Sequence, residues 1–185
     1  MDRRQALAGA YALPERLQGA ALFADLSGSS ALTEHLVAVY GPQRGAEELT
    51  RQLELIYSLI IGEVDRYRGS VIGFAGDAIT CWFDGDDGRR AVACALAMQQ
   101  VMRQIGALTT PSGVVITLAI KVAVAVGPAR RFQVGDPGVR QIDVLAGATI
   151  YRMAEAEQQA GKGEVVVGPE VATHLDDLIT VREWR

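Results

Sequence analysis

The sequence predicts an α+β fold: a ferredoxin-like βαββαβ core whose antiparallel sheet is covered by helices. Apolar runs of strand length alternate along the chain with segments of helical period. Two of these runs flank a short Gly-Asp turn, which is typical of a β-hairpin. The chain has 185 residues, of which 49% are hydrophobic and 22% charged, as in one globular domain. We expect the helices to cover one face of the sheet.

We divide the chain into an N-terminal segment, residues 1–18, and one domain, residues 19–185.

The composition and the apolar runs also indicate where the protein acts and what it does not bind. We expect no secretory signal, because the apolar run near the start is short and no cleavage site follows it. No apolar run reaches the ~20 residues of a membrane helix. The net charge of −4 argues against a broad nucleic-acid surface. We therefore expect a cytoplasmic protein that binds neither nucleic acid nor membrane.

The first elements of the domain are a strand and two helices. Residues 19–26 are apolar on both faces and predict a buried strand. The turn that follows leads into a helix that ends near Tyr40, with Ser30 as a candidate N-cap. Residues 46–67 predict a longer helix, because apolar side chains recur every three or four positions. That stripe consists of Leu49, Leu53, Ile56, Ile60 and Val64.

A hairpin and a third helix follow. Residues 70–74 and 78–83 predict two strands joined by the Gly-Asp turn. The Ala-rich segment 89–105 predicts a helix. Beyond it, residues 109–113 predict a loop and residues 114–126 one long strand that ends at Gly127-Pro128. The remaining predicted elements are a strand at 140–145, a helix at 147–160, a strand at 164–167, a helix at 169–175 and a strand at 179–184.

Asp25 is the first candidate for chemistry. It ends the buried strand, directly before the Gly-rich start of a helix, where backbone N–H groups can bind phosphate. A carboxylate beside such a cradle would repel phosphate unless a cation lay between them. The segment therefore suggests a metal–triphosphate site. The alternative is an aspartate that caps an ordinary strand–helix turn.

Asp77 is the second candidate, at the tip of the predicted hairpin. If the strand at 19–26 is central in an antiparallel sheet, this tip can lie beside its end. Two carboxylates could then bind one or two Mg²⁺ ions. The alternative is a turn residue, because Gly-Asp is a favoured turn pair.

Other reactive residues are sparse. Zinc requires about four ligands, whereas the two histidines, His35 and His174, are isolated and are expected at the surface. Cys81 and Cys94 have no local partners, and we expect both to be free, buried thiols.

Two segments resemble the metal motifs of class III nucleotidyl cyclases. Residues 22–32, LFADLSGSSAL, resemble the first motif, and residues 69–78, GSVIGFAGDA, the second. The FAGDA form is most similar to the soluble adenylyl cyclase branch. Residues 163–167, GEVVV, resemble a strand near the end of the domain in this family. The resemblance covers about residues 19–183.

The resemblance implies a reaction and a set of ligands. Two Mg²⁺ or Mn²⁺ ions would bind ATP or GTP, and the ribose 3′-hydroxyl would attack the α-phosphorus and expel pyrophosphate. Only the branch resemblance favours adenine over guanine. In this family the site forms at an interface with a second cyclase domain. The resemblance implies that the metal ions are bound by Asp25, Asp77 and the backbone carbonyl of Leu26. It implies that the triphosphate is bound by Gly28, Ser29 and Ser30.

The chain departs from the half of the family's motifs that reads the nucleotide. Gly73 stands where the family has a base-reading Lys. Val144 stands at the position of its Asp, with Asp143 one residue away. The transition-state Asn and Arg are replaced by Tyr151 and Glu155. The chain thus resembles the first of two tandem domains in the soluble adenylyl cyclase type, and we predict little or no activity for it alone.

We interpret three further arginines as surface residues without a role in the site. Arg152 aligns with an Arg of an anion-regulatory pocket in soluble adenylyl cyclases, but Gly73 removes the Lys of that pocket. We therefore favour a surface helix arginine. Arg130 and Arg131 are interpreted as solvated charges at a strand edge.

Three hypotheses follow from the sequence. The first is the metal-binding half of a cyclase that makes cyclic AMP or cyclic GMP with a complementary domain. The second is a non-catalytic, cyclase-like domain for regulation or dimerisation. The third is a ferredoxin-like interaction domain whose two aspartates are turn residues.

Overall fold

A computed structural model describes residues 16–110, 113–136 and 139–185. The strands are β1 (Arg16–Ser27), β2 (Ser70–Ala75), β3 (Ala78–Asp84), β4 (Ala107–Thr109), β5 (Val115–Thr117), β6 (Ala119–Asp136), β7 (Arg140–Ala146) and β8 (Val165–Val167). The helices are α1 (Ser29–Tyr40), α2 (Pro42–Arg66), α3 (Arg89–Ile105), α4 (Ala148–Gln159) and α5 (Pro169–His174). Of the predicted N-terminal segment, residues 1–15 lie outside the described residues, and residues 16–18 begin β1.

The main sheet has the ferredoxin-like order that the sequence predicts. Its strands run β2-β3-β1-β6-β7, and β8 pairs in parallel with β6. All other pairs in the sheet are antiparallel. The central strand β1 pairs with β6 along its whole length and with β3 from Gly19 to Asp25. The βαββαβ core is therefore β1, α1 with α2, β2, β3, α3 and β6.

Two apolar layers cover the sheet, one on each face. On the first face, α1, α2, α3 and α5 pack against β1 and β6, with Leu22, Leu32 and Ile56 fully buried. On the other face, Met153 and Ala156 of α4 pack on the small side chains of the sheet. The expectation that helices cover one face is wrong for α4. Because β1 and β6 are apolar on both faces, the sheet can bury a helix on either side.

Several element boundaries differ from the sequence prediction. Helix α2 begins at Pro42, four residues early, because proline suits the first helical turn. The predicted loop at 109–113 follows a strand, β4, that pairs with β5. The predicted strand at 114–126 is divided at Leu118, whose N–H donates to the Gly106 carbonyl (2.7 Å).

Two further predictions concern strand ends. The predicted break at Gly127-Pro128 is absent, and β6 continues to Asp136. Pro128 lies opposite Gln18, near the outer end of β1, where the loss of one N–H donor is tolerated. The predicted strand at 179–184 does not form, since these residues have no regular structure.

The thiols and one histidine lie where they are expected. Cys81 and Cys94 are free and buried, and burial raises the pKa of both thiols. His174 is exposed, whereas His35 is half-buried, with its Nε2 3.1 Å from the Thr110 hydroxyl. No helix of the described residues combines the length and hydropathy needed to cross a membrane.

Gly19 is a position of close packing in the central strand. A Cβ atom there would lie 2.3 Å from the Phe83 carbonyl oxygen and 2.8 Å from the Trp82 ring. We predict that Gly19→Ala lowers the free energy of unfolding by about 1–3 kcal/mol, because the strand pair must separate to admit the methyl group. Urea denaturation measures this loss. Gly73→Ala in β2 is the matched control, because its Cβ would meet nothing within 4 Å. Equal stability of the two variants would contradict the packing described.

Candidate active site

Asp25 lies at the end of β1, between two neighbouring strands. In the register of the sheet it faces Ala78 of β3 and Lys121 of β6. Its side chain is 23% exposed, so the carboxylate is held by the sheet yet reaches solvent. A carboxylate on a central strand is fixed from both sides, which suits it for holding a ligand.

Asp77 occupies the turn between β2 and β3, and three hydrogen bonds tie this turn to the neighbouring elements. Its carbonyl accepts from the Leu26 N–H (3.2 Å) and from the Tyr57 hydroxyl (2.8 Å). Its carboxylate accepts from the Ser29 hydroxyl (2.6 Å). Gly76 has a φ of 61°, which favours glycine at this turn. The hairpin tip therefore lies beside the end of β1.

The start of α1 differs in one detail from the sequence prediction. Gly28, not Ser30, is the N-cap, and it has a φ of 99°. The space is also closed to a side chain, since a Cβ there would lie 2.9 Å from the Thr117 carbonyl oxygen. Ser29 is the first helical residue, and its hydroxyl is committed to Asp77 rather than to a cap. Ser30 is exposed at the same helix start, where backbone N–H groups have no partners within the helix.

Lys121 is a site residue that the sequence reasoning missed. Its ammonium lies 3.2 Å from the Asp25 carboxylate and hydrogen-bonds to Glu157 of α4. These bonds, the one to Glu157 first, raise the pKa of Lys121. A lone lysine within an otherwise apolar strand was the available signal, because a charge in such a strand needs a partner.

The sequence reasoning also missed Tyr57, because the apolar stripe on its helix, α2, indicates a face that packs in the hydrophobic core. It is half-buried, and its ring meets that of Phe74 edge-on, with centroids 5.8 Å apart. Burial, followed by the nearby charges of Asp77 and Asp25, raises the pKa of Tyr57 to about 12. The hydroxyl therefore stays protonated near neutral pH and can donate to the Asp77 carbonyl.

The donor set at this end of the sheet fits a hard divalent cation. Within the described ranges, no three His, Cys, Asp or Glu side chains gather as a metal cluster. Mg²⁺ is commonly held by one or two carboxylates together with substrate phosphates. Asp25 and Asp77 are carboxylates of this kind, and backbone N–H groups at a helix start such as that of α1 are of the kind that bind phosphate.

Gly73 and Val144, which stand where the family has residues that read the nucleotide, line a cleft of about 300 Å³. Asp143 lies in its wall, but the carboxylate is buried and paired with Arg131 (2.6 Å). Arg131 is thus not the solvated edge charge that the sequence suggests, because its side chain is 5% exposed. Gly73 adds no side chain to the cleft. The apolar lining includes Phe23, Ile72, Phe74, Leu145, Ile150 and Met153.

The outer side of α4 carries the other departures from the family pattern. Tyr151 and Glu155 are exposed, and a hydrogen bond between them raises the pKa of the Tyr151 hydroxyl. Arg152 is half-buried rather than a surface arginine. It donates to the Val126 carbonyl (2.8 Å) and pairs with Glu170 (3.3 Å), so it joins α4 to β6 and α5.

Solved structures with the same fold are nucleotidyl cyclases. The adenylyl cyclase CyaB from P. aeruginosa superposes with a TM-score of 0.75 and 21% identity, covering 89% of this chain and 83% of CyaB. The guanylyl cyclase Cya2 superposes with a TM-score of 0.76 and 21% identity, covering 91% and 83%. The chain therefore has the fold of a class III nucleotidyl cyclase catalytic domain.

Sequence comparison gives a more particular likeness, to adenylate cyclase type 10. The Rattus norvegicus protein is 25% identical over 167 residues, which cover 84% of this chain and 10% of the relative. The Homo sapiens protein is 37% identical over 71 residues, which cover 36% and 4%. The chain thus spans about a tenth of the length of the first of these relatives. No protein-family model matches it.

Tyr57→Phe tests the anchoring of the Asp77 turn. We predict that the variant loses about 1 kcal/mol of stability, because one hydrogen bond to a half-buried carbonyl is removed. We also expect faster amide exchange at Leu26, whose N–H bonds to the same carbonyl. Urea denaturation and hydrogen exchange measure the two effects. Tyr67→Phe, at the C-terminal end of the same helix, is the control. An equal response of both variants would argue against a specific anchor.

Proposed function

We propose that this chain is the metal-binding half of a class III nucleotidyl cyclase, which makes cyclic AMP or cyclic GMP and pyrophosphate from the nucleoside triphosphate. The supporting observation is the convergence of two separate segments at one end of the sheet. The end of β1, the start of α1 and the β2–β3 turn meet through the hydrogen bonds that Asp77 accepts from Leu26 and Ser29. An ordinary pair of turn residues would not need this arrangement.

The proposed ligand set uses oxygen atoms of these segments. Asp25, Asp77 and the Leu26 backbone carbonyl would hold two Mg²⁺ or Mn²⁺ ions. These ions would lower the pKa of the ribose 3′-hydroxyl and neutralise phosphate charge. Asp77 is pre-oriented for this role by the Ser29 hydroxyl. The backbone at Gly28, Ser29 and Ser30 would bind the triphosphate.

Lys121 completes the proposed triphosphate site. It is the cation that faces Asp25 across the strand pair. With a divalent ion on the Asp25 carboxylate, the ammonium would keep its bond to Glu157 and would meet a phosphate oxygen at the same place. Lysine is a suitable point charge for phosphate.

A complementary domain would supply what this chain lacks. Gly73 offers no base-reading side chain, and the Asp143 carboxylate is committed to Arg131. Glu155 would add negative charge where an arginine is required. Because each missing charge-stabilising donor typically costs ~10²–10³ in rate, a symmetric pair of these chains would be weak or inactive. We also propose that the protein acts in the cytoplasm, where its thiols would stay reduced.

The second candidate is a non-catalytic, cyclase-like domain that dimerises and regulates an attached module. The observation that favours it is the buried Arg131–Asp143 pair, which closes one potential reading position. In this case the chain would bind nucleotide without turnover in any pairing.

Cyclic nucleotide production distinguishes the two candidates. The purified chain is assayed with Mn²⁺ and ATP or GTP, alone and with a class III domain that carries the Lys, Asp, Asn and Arg. We expect product only in the mixture, which also identifies the preferred base. Binding without product in every pairing would support the regulatory domain.

Asp25→Asn tests the metal site without changing side-chain volume. We predict that Mn²⁺-dependent binding of ATP or GTP weakens roughly tenfold or more, because an anionic ligand is lost. Isothermal titration calorimetry with and without Mn²⁺ measures it. Asp176→Asn, an exposed aspartate after α5, is the control. Unchanged affinity in Asp25→Asn would refute the proposed site and favour an interaction domain.

A further inference from the structure

Three charged side chains form a chain of ion pairs from β1 to α4. The Lys121 ammonium on β6 contacts Asp25 on one side and Glu157 on the other. All three side chains are about three-quarters buried, with exposed fractions of 23%, 26% and 24% for Asp25, Lys121 and Glu157. Helix α4 is therefore linked electrostatically to the candidate metal site.

This arrangement creates a conflict when a divalent cation binds Asp25. The ammonium lies 3.2 Å from the same carboxylate, and two cations at one carboxylate repel each other strongly in a partly buried site. Lys121 must then give up Asp25. A largely buried ammonium without a partner carries a desolvation cost, which would oppose metal binding.

Glu157 can relieve this conflict by remaining paired with Lys121. It hydrogen-bonds to Lys121 from α4, so this bond does not depend on Asp25. The ammonium can therefore remain paired after Asp25 is occupied by metal. Among the described residues, Lys121 pairs with Asp25 and Glu157. Without Glu157, the metal-bound state would lose the second of these partners as well, whereas the metal-free state would keep Asp25.

We propose that Glu157 is a positioning residue that holds the Lys121 ammonium while a divalent cation occupies Asp25, and so raises the affinity for that cation. This inference rests on the proposed function. It assigns to α4 a role in metal binding that its place outside the two metal motifs does not suggest. It also predicts that Lys121 and Glu157 act as a unit.

The test measures Mn²⁺ binding by electron paramagnetic resonance of the free ion, with MnCl₂ alone as the probe. We expect Glu157→Gln to weaken Mn²⁺ binding roughly fivefold, as for the loss of one partly buried ion pair. Glu155→Gln, which removes the same charge from the exposed side of the same helix, should change it less than twofold. Lys121→Met should tighten binding, because a competing cation is gone.

A double variant shows whether Glu157 acts by holding Lys121 or through its own negative charge. In the K121M background, Glu157→Gln should weaken Mn²⁺ binding by twofold or less, since no ammonium remains to be held. A loss of the full size in that background would overturn the inference, because Glu157 would then act through its own charge. Thermal denaturation verifies that each variant is folded.

The remaining outcomes separate the inference from the proposed function. If wild-type protein and Asp25→Asn bind Mn²⁺ equally, the metal site itself is refuted. If Asp25→Asn abolishes binding but Glu157→Gln matches Glu155→Gln, the metal site stands and the role of Glu157 is overturned.

Discussion

The candidate site depends on the carbonyl of Asp77, which joins the β2–β3 turn to the end of the central strand. It accepts hydrogen bonds from the Leu26 N–H and the Tyr57 hydroxyl. The sheet order makes this possible, because β3 lies next to β1 and its turn reaches the end of that strand. One backbone oxygen thus sets the relation between two carboxylates that are far apart in sequence.

Most elements of the fold could be predicted because their signals are local. The stripe on α2 and the hairpin of β2 and β3 follow directly from periodicity and turn residues. Whether a strand continues through Pro128, and whether residues 179–184 form a strand, depends on the neighbouring strand. A single sequence does not identify that neighbour. The face of the sheet that α4 covers is likewise determined by the small alanine side chains that this face presents.

The same distinction applies to the site. Asp25 and Asp77 could be selected because their contexts match known motifs. Lys121 and Tyr57 could not, since their roles depend on partners in other elements: a carboxylate across a strand pair and a carbonyl at a hairpin tip. The sequence predicts Ser29 at the helix start after β1, where it lies, but its hydrogen bond to Asp77 is a tertiary contact. Residue type and spacing therefore locate the chemistry, while the supporting contacts require the fold.

The central claim is that this chain contributes metal ligands and needs a complementary face for turnover. A direct measurement uses an Asp25→Asn copy that also carries Gly73→Lys, Val144→Asp, Tyr151→Asn and Glu155→Arg. This copy is mixed with wild-type protein, and cyclic nucleotide formation is followed with Mn²⁺ and ATP or GTP. The account predicts that neither protein alone is active and that the mixture is. Asp25-dependent turnover by the wild-type chain alone, at the rate of the mixture, would contradict it.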